Sequence, residues 1–205
     1  MAAQKKTVVA SERDEAARAA WRDEADGLAA ADLVFVDESS TNRAMTPRRA
    51  RAPRGVRAVG AAPRNHGPNV TLLAALTPAG IGAAMVVEGA VDGAALVAYL
   101  RGVLVPTLRP GQTVIWDNLA VHKDVRARAI VEAAGCRLLF LPAYSPDFNP
   151  IEFAFAKLKQ ALRRSAARTY DALVAAIGAA LDAVTAADAH AFFADCGFPL
   201  TDHLL

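Results

Sequence analysis

Leu33 to Ser40 reads LVFVDESS: four apolar residues, two acids and two hydroxyls. The apolar run predicts a short buried strand that delivers its chain straight into Asp37 and Glu38. The pattern returns at Thr113 to Asn118, TVIWDN, where a second buried strand runs into Asp117. Both readings put a carboxylate at the last position of a strand. In open sheets containing parallel strands, ligands bind at the strands' carboxyl ends. Each acid also has an ordinary structural use. Asp37 suits the opening of a turn, and Asp117 with Asn118 suits a helix cap.

Working outward, Glu12 to Ala30 predicts an alanine-rich helix whose only large apolar residues are Trp21 and Leu28. Val70 to Leu76 predicts a strand, residues 77–80 a turn, and Ala83 to Val87 a further strand. A helix is expected from Asp92, as its cap, to Leu104, and another from Lys123 to Ala134, closed by Gly135. Arg137 to Leu141 predicts a strand, followed by the turn-rich run PAYSPDFNP. Ile151 to Ala166 and Tyr170 to Val184 predict two more helices. Antiparallel strands followed by βαβ crossovers give an α/β fold, a mixed β-sheet flanked by helices. The chain shows no internal repeat and no dividing linker.

Composition narrows the class. Of 205 residues, 48 are alanine, so the 54% apolar content comes largely from small side chains. The longest uncharged stretch, residues 65–87, is broken by prolines, glycines and asparagines and is too polar to span a membrane. The N-terminus lacks the apolar core of a secretory signal. Cys136 and Cys196 fit neither a disulfide scaffold nor a zinc module. A soluble, cytoplasmic protein with no membrane partner is expected.

Net charge is only +2, yet the charges are segregated. From Ser39 to Val87 there is no acid, and seven arginines occur: Arg43, Arg48, Arg49, Arg51, Arg54, Arg57 and Arg64. A second acid-free stretch, Phe153 to Tyr170, carries Lys157, Lys159, Arg163, Arg164 and Arg168. Prolines at 47, 53 and 63 favour a loop or short edge strands for the first stretch. Blocks of one sign fit a polyanionic partner, and arginine suits bidentate phosphate contact.

A third carboxylate, Glu152, opens the helix after PDFNP. Asn149 to Glu152 also resembles a capping box with proline at the first helical position. Taken together, Asp37, Asp117 and Glu152 are three hard oxygen donors on separate elements. Such a set holds two divalent cations about 3.5–4 Å apart, and magnesium prefers carboxylates, water and phosphate oxygens. That chemistry is phosphodiester cleavage or strand transfer.

FVDESS, WDNLAVHK and LPAYSPDFNPIE resemble the three signature blocks of DDE transposases, most closely the mariner-like superfamily in its bacterial insertion-sequence branch. Thirty-four residues separate Asp117 from Glu152, the spacing seen in that family. The resemblance covers roughly Leu33 to Arg168. It implies a ribonuclease-H-like fold, with Asp37, Asp117 and Glu152 as the catalytic, metal-binding triad. It also implies two Mg2+ ions with DNA bound, Mn2+ able to substitute, and transposon-end and target DNA as partners. On this reading residues 1–30 are an N-terminal helical segment, 31–168 the catalytic domain and 169–205 a C-terminal helical extension.

Arg43, Arg48, Arg49, Arg51, Arg54, Arg57, Asn118, His122, Lys123, Lys159 and Arg163 are the expected DNA contacts. Lys159 lies two helical turns beyond Glu152 on the same face. Glu38, by strand alternation, is expected on the opposite side and is the runner-up ligand. Tyr144, Ser145 and Asn149 are expected to shape the turn that delivers Glu152. Full-length relatives begin with helix-turn-helix domains, whereas the segment before the first strand here is short and net acidic. Two origins stay open: the second frame of a two-frame transposase, partnered by an upstream helix-turn-helix polypeptide, or a truncated remnant. A homodimer is a further expectation. The rival functions are a degenerate fragment that binds DNA without turnover and a nuclease of the same fold without strand transfer.

Overall fold

The computed structural model describes residues 10–118 and 125–200. Five strands form one sheet: β1 (Leu33–Thr41), β2 (Val70–Thr77), β3 (Gly80–Glu88), β4 (Thr113–Trp116) and β5 (Arg137–Phe140). Their order is β3-β2-β1-β4-β5. β1 runs antiparallel to β2, which runs antiparallel to β3. On its other side β1 is parallel to β4, and β4 is parallel to β5. This is the expected mixed sheet.

Strand alternation sorts the side chains into two cores. Leu33, Phe35, Leu72, Ala74, Leu76 and Ile115 face α1 (Glu15–Ala25), α4 (Ile151–Ser165), α5 (Tyr170–Asp182) and α6 (Ala186–Asp195). Val34, Val36, Leu73, Ala75, Val114 and Trp116 face α2 (Gly93–Tyr99) and α3 (Val125–Ala133). The continuous apolar runs of β1, β2 and β4 follow from this, since a sheet covered on both faces has no solvent side.

Several boundaries differ from expectation. β1 does not stop at Asp37: it continues to Thr41, paired there with β2 alone. Ser39 and Thr41 are buried in that extension, which the apolar run of the sequence did not reach. Asp92 does cap α2, accepting from the Ala95 N–H at 2.8 Å, but the regular helix ends at Tyr99. A π-helical turn (Leu100–Leu104) and a 3-10 turn containing Pro106 follow, and proline cannot donate to the ladder. α1 is shorter than expected and is capped by Asp14, which accepts from Ala16 and Ala17. α6 lies within the expected C-terminal helical extension but was not read as a separate helix. It is opened by a reciprocal capping box between Thr185 and Asp188.

Residues 42–69, between β1 and β2, contain neither helix nor strand, which settles the arginine stretch as a loop. Its near end is tied down by Arg43 Nε donating to the His66 carbonyl at 2.9 Å. Arg168 Nη1 donates to the carbonyls of Arg43 and Met45. Among the described residues no single helix is long and apolar enough to cross a membrane. α5 and α6, bent by 77°, bury Ile177 and Phe193 in the sheet-facing core.

Candidate active site

Val36 and Trp116 are the last partners in the parallel pairing of β1 with β4. Asp37 and Asp117 are the next residue of each chain, so they leave the ladder side by side, at about the 5 Å spacing of neighbouring strands. Both share the parity of Phe35 and Ile115, which face the α4 side. α4 begins at Ile151, buried in that core, and carries Glu152 in its first turn. All three carboxylates line one cavity of about 530 Å³. Asp37 is buried, Asp117 half-buried and Glu152 exposed.

Asp37 is the most constrained of the three. Its Oδ1 accepts the Glu38 N–H at 2.7 Å, and its Oδ2 accepts from Asn149 Nδ2 at 3.0 Å. Burial pushes its pKa up to about 8, opposed by the Glu38 N–H and reinforced by the charges of Asp117, Glu152 and Glu38. The cavity therefore gathers negative charge in a poorly hydrated place, and a cation relieves that. Among the described residues no histidine or cysteine lines it, and the all-oxygen donor set they offer suits Mg2+ or Mn2+ rather than zinc. Among the described residues no three histidine, cysteine, aspartate or glutamate side chains are gathered closely enough to hold an ion unaided.

The segment joining β5 to α4 sets the position of Glu152. Leu141 N–H donates to the Trp116 carbonyl at 2.8 Å, which extends the sheet bonding past β5. Tyr144 then takes a positive φ of 56°, and Pro146–Phe148 forms a 3-10 turn. α1 grips this turn. Arg18 donates through Nη1 and Nη2 to the two Asp147 carboxylate oxygens at 3.0 and 2.6 Å. Trp21 stacks on Phe148 with ring centroids 5.3 Å apart. The guanidinium carbons of Arg18 and Arg22 each lie 3.9 Å from the Phe148 ring centroid.

Two sequence readings need correcting. Asn149 and Glu152 do not form a capping box: α4 has Pro150 as its cap and no side-chain capping bond. The Asn149 amide is used on Asp37 instead. Glu38, expected on the opposite side, does feel the other core through Tyr99, whose pKa its charge helps raise after burial. It nevertheless forms part of the wall of the same cavity.

The remaining candidates divide by location. Asn118 lines the cavity mouth. Lys159 and Arg163 lie half-buried along α4, two and three turns beyond Glu152 on one face. Arg48, Arg49, Arg51, Arg54 and Arg57 are exposed on the loop, with Arg43 half-buried at its base. His122 and Lys123 lie outside the described residues. Sequence reasoning missed the link from Asn149 to Asp37 and the grip of Arg18 on Asp147. Neither has a local signal, because the partners are 112 and 129 positions apart.

The family described as DDE superfamily endonuclease matches residues 32–174. No curated protein matches the chain. Among solved structures, the Mos1 mariner paired-end complex with Mn matches with a TM-score of 0.74 at 16% identity, covering 95% of this chain and 63% of that one. The Mos1 strand transfer complex gives 0.73 at 18%, covering 96% and 63%. The catalytic domain of Mos1 mariner transposase gives 0.62 at 14%, covering 89% and 85%. The chain thus spans under two thirds of the transposase chains in the DNA complexes, and the shared fold is the ribonuclease-H-like one.

Proposed function

The chain belongs to the DDE superfamily endonucleases, and from that premise we propose that it is the catalytic domain of a DNA transposase. The observation that carries this reading is the single cavity lined by Asp37, Asp117 and Glu152, which come from two parallel strand ends and a helix start. These three would hold Mg2+ or Mn2+, two ions once DNA is bound. Such ions supply Lewis-acid stabilisation of the phosphate and activation of its nucleophile.

The chemistry is two displacements at phosphorus. In cleavage, a water oxygen bonds to phosphorus, the bond to the 3′-oxygen breaks, and a 3′-hydroxyl and a 5′-phosphate result. In joining, that 3′-hydroxyl attacks a phosphorus of target DNA and displaces the target's own 3′-oxygen. Bonds made and broken balance, so no energy-rich co-reactant is needed.

Around the acids, the protein's task is to bind and orient a polyanion. The exposed arginines 48, 49, 51, 54 and 57, with Arg43 at their base, form one basic arm. Lys159 and Arg163 extend a second basic strip away from Glu152. Both suit phosphate neutralisation. Asn118 borders the cavity, and His122 and Lys123 complete the proposed DNA contacts. A loop of this length without secondary structure is uncommon unless it has a function. Two DNA ends require two sites, so a homodimer is the proposed working unit, with end recognition by an upstream helix-turn-helix polypeptide. The protein would meet its DNA in the cytoplasm, at the nucleoid.

The test pairs two assays. With Mg2+ or Mn2+, the protein is expected to nick supercoiled plasmid and to join a labelled duplex bearing a free 3′-hydroxyl to it. Nicking without joining would favour the plain nuclease. Binding without nicking would favour the degenerate fragment.

A further inference from the structure

Asn149 is 3% exposed and lines the acidic cavity. Its amide offers two donor hydrogens and one acceptor oxygen. Nδ2 donates to Asp37 Oδ2 at 3.0 Å. Oδ1 is buried with no hydrogen-bond partner among the described residues. Its backbone is engaged too: its N–H donates to the Pro146 carbonyl at 3.0 Å, and its carbonyl accepts the Glu152 N–H at 3.2 Å. One residue therefore touches Asp37 through its side chain and Glu152 through its main chain.

The residue type matters. Asparagine, serine and aspartate are about equally good capping residues, so the start of α4 does not by itself select asparagine here. Serine is too short to reach Asp37 from the same backbone, and an ionised aspartate would repel it. The asparagine amide donates to Asp37 and still carries an acceptor oxygen. Buried polar atoms without partners are rare in folded proteins, and each calls for an explanation. An amide oxygen beside a carboxylate cluster has a ready one: a water bound to a metal is a strong donor, and groups around the ligands commonly take such bonds.

We propose that Asn149 is a positioning residue of the metal site, orienting Asp37 through Nδ2 and accepting from a metal-bound water through Oδ1. This rests on the assignment of Asp37, Asp117 and Glu152 as metal ligands. Asn149 is not itself a ligand. It links the strand-borne acid to the helix-borne one, so that the two approach an ion together.

The test uses the full chain and Mn2+ binding measured by calorimetry, with circular dichroism to establish folding. Wild type is expected to bind, Asp37→Asn to lose binding, and Asn149→Ala to bind roughly 10–100-fold more weakly. In 15N-labelled wild type, the Asn149 side-chain amide resonances are expected to shift as Mg2+ is added, saturating with the backbone amide of Glu38. A folded Asn149→Ala variant with wild-type Mn2+ affinity would overturn the proposal. So would Asn149 amide resonances that stay put at saturating Mg2+, which decides the matter if the alanine variant does not fold. Absence of Mn2+ binding by wild type would overturn the metal assignment itself, and this inference with it.

Discussion

Asp37 is costly to the metal-free protein, and the sign of that cost is testable. Its pKa is about 8 when folded against 3.8 for the free group, with burial the largest cause. Between those values the folded state holds a proton that the unfolded state has released. The group's contribution is thus fully present below about pH 4 and is lost as pH rises toward 8. Asp37→Asn removes the dependence while keeping an oxygen for the Asn149 amide. Thermal melts without metal are expected to show the variant more stable than wild type at pH 8, by on the order of 2 kcal/mol. Mg2+ should then raise the melting temperature of wild type alone. A variant less stable at pH 8, or one equally stabilised by Mg2+, would contradict this account of Asp37. At this scale the acids were legible in the sequence because each follows an apolar run or opens a helix. Asn149 was not, because its neighbours Pro150 and Glu152 spell a capping box and its true partner is far away in the chain.

At the scale of elements, α1 acts on the site without touching it. Its Arg18, 5% exposed, clamps Asp147 in the 3-10 turn that leads through Asn149 to α4. Burial works to raise the Asp147 pKa, but the hydrogen bonds and charge of Arg18 hold it below the ordinary carboxylate value. A carboxyl lowered on folding stabilises above its unfolded value near 4, and that contribution is lost as pH falls through the folded one. Asp147→Asn is expected to cost about 2 kcal/mol at neutral pH, the scale of hydrogen bonds to a charged group. It should also flatten the acid side of the stability curve. Urea unfolding at pH 7 and pH 3 reads both effects, and an unchanged acid limb would remove Asp147 from the account. The helices themselves were only partly legible. α6 hides in an alanine-rich tail whose apolar period is weak, although Thr185 and Asp188 carry the capping signal. The irregular turns after Tyr99 follow from Pro106 and from tertiary packing that no local pattern announces.

Across the whole molecule, the sheet was read correctly from element order alone, since two buried strands with helical crossovers beside antiparallel neighbours leave few arrangements. The overrun of β1 past β4 was not legible. Ser39 and Thr41 lie beyond the apolar run, and only their pairing with β2 makes them strand. That overrun has a consequence for function. Asp37 is held within continuing strand, while Asp117 stands one residue past the end of β4, so the two acids reach the cavity from different backbone settings. The basic loop leaves β1 on the cavity's strand, and the basic strip of α4 leaves from Glu152. The most direct test is Mn2+-dependent nicking of supercoiled plasmid by wild type and by Asp117→Asn, with DNA binding measured for both. Wild type is expected to nick only with the divalent ion, and the variant to bind DNA equally without cutting it. Nicking by Asp117→Asn at the wild-type rate, or by wild type without a divalent ion, would contradict it.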